Sequence, residues 1–199
     1  MEKINVILVE DSLFWLQQLS KGLLNQNDFH LIGTATNREE ALDLSIKNNP
    51  DVIILDINLT ENNLDGLDFA EELAKRKEID SNIIILSGIM EEDVILESFA
   101  IKNVVNYLSK FNILDIFQAV RDAYHGKAGI HSDVSEILRK AYRKNRKEVR
   151  LSLLTPAERE LYDLDKKGLT KNEMAKKLHK SFNTIKSQLR SMRNKMKGK

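Results

Sequence analysis

Five short apolar runs, rich in Ile and Val, recur through the first 125 positions and alternate with longer segments of helical spacing. The runs are Ile4–Val9, Leu31–Ala35, Val52–Leu55, Ile83–Leu86 and Val104–Leu108; each has the length of a buried strand. Between them stand Leu13, Leu16, Leu19 and Leu23, then Ala41, Leu42 and Ile46, then Leu67, Ala70 and Leu73, then Val94, Ile95, Ser98 and Phe99. The last set is Ile113, Phe117, Val120, Ala123 and Tyr124. Strands alternating with crossover helices make a parallel sheet covered on both faces, and strands buried on both faces read as continuous apolar runs. The sequence therefore predicts an α/β domain with a doubly wound, five-stranded parallel sheet. Ligands of such sheets sit beyond the carboxyl ends of the strands, where the strand order reverses.

After Tyr124 the pattern stops at His125-Gly126-Lys127-Ala128-Gly129, and no strand candidate follows residue 130. Two glycines there suit a helix stop and a turn. The expected division is a domain over 1–126, a linker over 127–151 and an all-α domain over 152–199. Ser132 opens a connector helix in the linker with Val134, Ile137, Leu138 and Ala141. Charge divides the same way. Residues 1–130 carry 22 acidic and 11 basic side chains, residues 131–199 carry 8 and 20, and the total of +1 hides the asymmetry. A basic half usually faces a polyanion or a membrane surface. The absence of Cys excludes a disulfide scaffold, a thiol nucleophile and a thiolate metal site. No apolar run approaches the ~20 residues of a membrane span, and the N-terminus lacks the apolar stretch of a signal peptide. A cytoplasmic protein without a membrane partner is expected.

Polar residues just after each strand line one edge of a βα sheet. Here they are Glu10 and Asp11, Asp56, Ser87 and Lys110. Any one carboxylate could be a helix cap or a solvated loop residue, and Asp11 could cap the helix starting near Leu13. Together they mean more. Three convergent carboxylates repel unless a cation neutralises them, and an oxygen-rich site of this kind suits Mg²⁺ with phosphate oxygens. A hydroxyl and an ammonium opposite would hold a phosphoryl group, and an Asp can accept it as an acyl phosphate.

These residues resemble the receiver domain of bacterial two-component response regulators, over roughly residues 3–125. Val9-Glu10-Asp11 is similar to the family's acidic pair, Leu55-Asp56-Ile57-Asn58 to its phosphoacceptor strand end, Leu86-Ser87-Gly88 to its hydroxyl position, and Tyr107-Leu108-Ser109-Lys110 to its aromatic switch and Lys. The resemblance implies a flavodoxin-like fold with Asp56 as phosphoacceptor. Glu10, Asp11, Asp56 and the backbone carbonyl of Asn58 would hold Mg²⁺, and Ser87 and Lys110 would bind phosphoryl oxygens. Tyr107 would move between exposed and buried positions as Ser87 is drawn toward the phosphate. Two departures bear on the loops. Asp65-Gly66 stands ten residues after Asp56 rather than the family's eight, with Thr60 where the family has Pro, so the loop is longer. Phe111 replaces the Pro that follows the Lys with a cis peptide, so either a non-Pro cis bond is carried, at about 3 kcal/mol, or the loop takes another path.

In the basic half, Thr155, Pro156 and Glu158 spell a capped helix start, Gly168 a stop, and Thr170 with Glu173 a second capping box. Ser181 caps a third helix buried along Ile185, Leu189, Met192 and Met196, whose other faces carry Asn183, Thr184, Lys186, Ser187, Arg190 and further polar groups. A short helix, a tight turn and a longer basic helix suit helix-turn-helix binding in the major groove. Leu154 to Glu158, Gly168 to Thr170, Glu173 to Ala175, Leu178 and Ser181 to Lys186 resemble the LuxR-type output domain found in NarL-type response regulators. By that resemblance Thr184 and Lys186 contact the DNA backbone; Asn183, Ser187 and Arg190 are further candidates for base or backbone contact. The sequence stops at Lys197-Gly198-Lys199 without the family's fourth helix, so dimer contacts are expected from the receiver or from 132–147. The basic run Arg139–Arg150 is either a solvated helix face or a source of added phosphate contacts.

The reading is a non-enzymatic response regulator: a sensor histidine kinase phosphorylates Asp56, and the chain, as a homodimer when phosphorylated, binds double-stranded DNA and regulates transcription. One rival is a Mg²⁺-dependent phosphohydrolase with Asp56 as nucleophile, although Asn58 stands where such enzymes commonly have a second Asp. Another is a relay whose basic domain binds protein or RNA.

Overall fold

The computed structural model describes residues 2–60, 64–127 and 129–197. Residues 61–63 in the longer loop after Asp56, Ala128 in the predicted turn, and the terminal Gly198-Lys199 lie outside the described residues. The chain forms two compact units, Met1–Leu138 and Arg139–Lys199.

In the first unit, strands β1 (Ile4–Val9), β2 (Phe29–Ala35), β3 (Val52–Leu55), β4 (Asn82–Ser87) and β5 (Val104–Ser109) pair in parallel in the order 2-1-3-4-5. Helices α1 (Leu13–Leu24), α2 (Arg38–Asn48), α3 (Asp65–Ala74), α4 (Glu92–Ala100) and α5 (Ile116–Tyr124) alternate with the strands. Alternate strand residues divide between two apolar layers. Ile7, Val9, Ile53, Leu55, Ile83 and Ile85 pack with α3, while Val6, Leu8, Val52, Ile54, Ile84 and Leu86 pack with Leu19, Leu23 and Val120. Burial on both faces is why these runs do not alternate with polar residues. Strand β2 begins two residues before the predicted Leu31; Phe29 joins the core while His30 is exposed, so its first residues alternate.

The strand order reverses between β1 and β3, and the carboxyl ends of these two central strands lie side by side there. Helix α6 (Ser132–Ser152) supplies its first turns to this unit: Val134 is fully buried, with Ile137 and Leu138 packed beside it. The unit boundary at Leu138 thus falls inside the segment expected as a linker.

The second unit combines the rest of α6 with α7 (Pro156–Lys166), α8 (Lys171–Lys177) and α9 (Phe182–Lys197). Its core is Leu151, Leu154, Leu161, Leu164, Met174, Ile185, Leu189 and Met192. Both capping boxes form, on Thr155 with Glu158 and on Thr170 with Glu173. At Gly168 (φ 80°) the chain turns left-handed, and Leu169 N–H closes α7 on the Leu164 carbonyl at 3.2 Å, the arrangement in which a helix end satisfies its last carbonyls. No helix among the described residues is long and apolar enough to cross a membrane.

Candidate functional site

The sheet ladder itself delivers the acids. Glu10 N–H continues the pairing to Ala35 and Asp56 N–H bonds the Val9 carbonyl at 2.9 Å, so both side chains emerge where β1 and β3 end. Carboxylate oxygens of Glu10, Asp11 and Asp56 lie within 4.8 Å of one another; Glu10 and Asp56 are buried, whereas Asp11 is exposed. Asp11 does not cap α1: Ser12 occupies that position, without a side-chain cap bond, and donates its N–H to Glu10 Oε1 at 3.2 Å.

Lys110 enters from the end of β5. Its Nζ lies 2.7 Å from Glu10 Oε2 and 2.8 Å from Asp56 Oδ2, with only 13% of the side chain exposed, and 5.6 Å from the centre of the Trp15 ring. Burial raises the Glu10 carboxyl to about 6; the Asp56 charge adds to this and the Lys110 ammonium opposes it. One ammonium faces three carboxylates, and the surplus of oxygen donors with negative charge fits a hard divalent cation. Asn58 stands two residues beyond Asp56 and is half-buried. The Lys110–Phe111 link carries no cis bond; the loop takes the other path, a 3-10 turn over Lys110–Asp115 capped by Ser109 Oγ, with Phe111 91% exposed.

Ser87 and Tyr107 meet through one residue's backbone. Ile89 donates its N–H to Ser87 Oγ at 3.2 Å, and the Tyr107 hydroxyl donates to the Ile89 carbonyl. Tyr107 is fully buried, which drives its phenol pKa upward against the pull of Ser87. Gly66 closes the other side of the site. Its N–H bonds the Ile57 carbonyl at 2.9 Å, and a Cβ there would fall 2.3 Å from the Asp56 carbonyl oxygen. Asp65 accepts from Leu59 N–H at 3.0 Å and from Thr60 Oγ1 at 3.0 Å, which anchors the described ends of the loop.

The start of α6 is tied to the same strand end. Asp133 accepts from Ser109 N–H at 3.2 Å and from Asn112 Nδ2 at 2.9 Å, and His131 N–H donates to Asn106 Oδ1 at 3.0 Å. The sequence does not single out Trp15, Ile89 or Asp133, and it marks Gly66 only as part of a turn, without its contact with the Asp56 backbone. Trp15 packs with Leu16, Leu19 and Leu23 on the apolar face of α1 and so reads as core, and the other three act through partners elsewhere in the chain: Ile57, Tyr107 and Ser109.

In the second unit, His179 just past the end of α8 takes the left-handed region (φ 50°), Lys180 N–H bonds the Ala175 carbonyl, and Ser181 caps α9 by accepting from Thr184 N–H at 3.1 Å. The resemblance implies DNA-backbone contact by Thr184 and Lys186, with Asn183, Ser187 and Arg190 as further candidates for base or backbone contact. Asn183, Thr184, Lys186 and Ser187 are exposed and Arg190 is exposed with them. Lys186 and Arg190 line a groove of about 310 Å³ with Lys171, Arg193, Asn194 and Lys197. Thr184 is not part of that lining, and its hydroxyl lies 2.8 Å from that of Ser181. Two bases of α9 serve the fold: Lys195 lies 2.7 Å from Glu158, which also accepts from Ser191 at 3.0 Å, and Arg193 lies 3.3 Å from Asp165.

Comparison with known proteins agrees with this layout. The family model described as the response regulator receiver domain matches residues 6–121. The nitrate/nitrite response regulator protein NarL of Escherichia coli (strain K12) is 28% identical over 201 residues, covering 98% of this chain and 90% of that protein. The transcriptional regulatory protein LiaR of Bacillus subtilis (strain 168) is 25% identical, covering 97% and 90%. Among solved structures, the RcsB response regulator of Salmonella typhimurium superposes with a TM-score of 0.64 at 24% identity, over 98% of this chain and 93% of that one. A two-component response regulator RcsB–DNA complex gives 0.63 at 22%, over 98% and 92%. These two likenesses concern the fold.

Proposed function

This chain belongs to the response regulator receiver family, and from that membership we propose a transcription regulator in which phosphorylation of Asp56 by a histidine kinase controls DNA binding by the C-terminal helices. It is a regulator and not an enzyme with turnover. The observation that carries the reading is the Lys110 ammonium held between Glu10 and Asp56 at 2.7 and 2.8 Å, inside the acidic cluster at the sheet edge.

An Asp56 carboxylate oxygen attacks the phosphorus of a phosphohistidine; the new O–P bond forms as the P–N bond breaks, and the imidazole leaves with the electron pair. Lys110 is placed to follow the negative charge from the carboxylate onto the transferring oxygens, which requires no long movement of its side chain. Mg²⁺ held by Glu10, Asp11, Asp56 and the Asn58 carbonyl would supply further neutralisation of those oxygens. Ser87 would donate its hydroxyl to one of them. Because Ile89 links Ser87 to Tyr107, a shift of Ser87 alters the hydrogen bonding that holds the Tyr107 ring, and the phosphorylated state biases a two-state equilibrium rather than building a new site.

In the C-terminal unit, Lys186 and Arg190 supply phosphate contacts from α9, with Asn183, Thr184 and Ser187 beside them. NarL and LiaR are named as regulators and one RcsB structure is a DNA complex; the same partner is proposed here, with pairing of two phosphorylated copies. The test is labelling with acetyl phosphate and Mg²⁺. Wild type should gain one phosphoryl group and Asp56→Ala none; single-site labelling that persists in the variant overturns the assignment.

A further inference from the structure

Resting on the DNA-binding reading, we propose that the basic face of α6 is a second site for the phosphate backbone of duplex DNA, separate from the α9 face. Arg143, Arg146, Lys147 and Arg150 follow one another at +3, +1 and +3 positions, which places them on a single stripe of the helix. They line a pocket of about 290 Å³ with Tyr142 and Met196, and no carboxylate lines it. The one acid of the run, Glu148, is exposed and stands outside this lining. Among the described residues none of the four cations forms an ion pair with a carboxylate, whereas Arg193 and Lys195 on α9 do. Arg146 lies 5.8 Å from the centre of the Tyr142 ring, an arrangement that orients a guanidinium without neutralising it.

Two like-charged pairs in this stripe, Arg143 with Lys147 and Arg146 with Arg150, stand four residues apart, a spacing that destabilises an isolated helix. Helical stability is therefore not what the pattern serves, and an anion relieves it. The stripe is about 10 Å long, and duplex DNA carries one charge per ~1.7 Å of its axis, a density comparable with four cations over that length. Three of the four are Arg, whose planar fork suits phosphate oxygens. The pocket also reaches the end of α9: Met196 lines it, while the next residue, Lys197, lines the groove of Lys186 and Arg190. The two sets of cations thus adjoin within one compact unit.

The experiment uses the full chain, incubated with acetyl phosphate and Mg²⁺, and a fluorescein-labelled duplex of mixed sequence about three helical turns long. Anisotropy gives the affinity at salt concentrations between about 50 and 200 mM. Replacement of all four residues by Gln keeps helix propensity, and far-UV circular dichroism checks the fold. The slope of log affinity against log salt should become shallower by about 2–4, near 0.9 for each phosphate no longer neutralised, and Lys186→Gln with Arg190→Gln should lower it further in the same background. Wild-type binding with an unchanged slope in the quadruple variant overturns this site while leaving the α9 reading intact. No wild-type binding overturns both.

Discussion

Gly66 is the residue whose side chain, one hydrogen, lets the backbone close most tightly on Asp56. Its backbone lies against the Asp56 carbonyl, and the Cβ of any other residue would enter at 2.3 Å, among backbone atoms that have no rotamer to yield. Gly66→Ala should therefore destabilise the receiver by about 1–3 kcal/mol, as overpacking does, and slow acetyl phosphate labelling of Asp56; urea unfolding and a labelling time course check the two effects separately. The polar residues of the site are legible in the sequence because each stands within two residues of the end of an apolar run, so the strand pattern locates Glu10, Asp11, Asp56, Ser87 and Lys110 at one edge. Trp15 is not legible, since an aromatic in an amphipathic helix carries no mark of the ammonium it will face. Nor is the role of Ile89, which is borne by backbone atoms that every residue has.

At the level of elements, helix starts are readable where the signal is local. Both capping boxes follow from four-residue patterns, but the reach of Glu158 to Ser191 and Lys195 depends on how α7 and α9 cross, which no local pattern contains. Hydrogen bonds from Lys195 first, then from Thr155 and Ser191, hold the Glu158 carboxyl down at about 2 against an ordinary value of 4.5. A depressed carboxylate contributes stability that is complete above the ordinary value and is lost as pH falls through the window toward the folded one. Wild type should thus exceed Glu158→Gln in urea resistance near neutral pH, and the gap should close between about pH 4.5 and about pH 2. A gap independent of pH contradicts the assignment. Likewise, the first turn of α6 reads as linker in the sequence because its tie to β5 is long-range. Asp133→Ala removes the acceptor of Ser109 N–H and Asn112, and should cost about 1–3 kcal/mol, seen as faster amide exchange at Ser109 and in the first turn of α6.

For the whole molecule, a total charge of +1 conceals an acidic unit with a cluster of three carboxylates and a basic unit with two cation-lined surfaces. The division is readable from composition and order of motifs, whereas its position along the chain is not, because α6 is one continuous helix whose apolar start is buried with the sheet and whose basic remainder belongs to the second unit. The central claim is that the state of Asp56 sets DNA affinity. The direct measurement is the affinity of full-length wild type and Asp56→Ala for genomic duplex fragments enriched by the wild-type protein, each with and without acetyl phosphate and Mg²⁺. Wild-type affinity should change on phosphorylation, and that of Asp56→Ala should stay constant. An equal response in both proteins, or none in wild type despite labelling at Asp56, contradicts the claim.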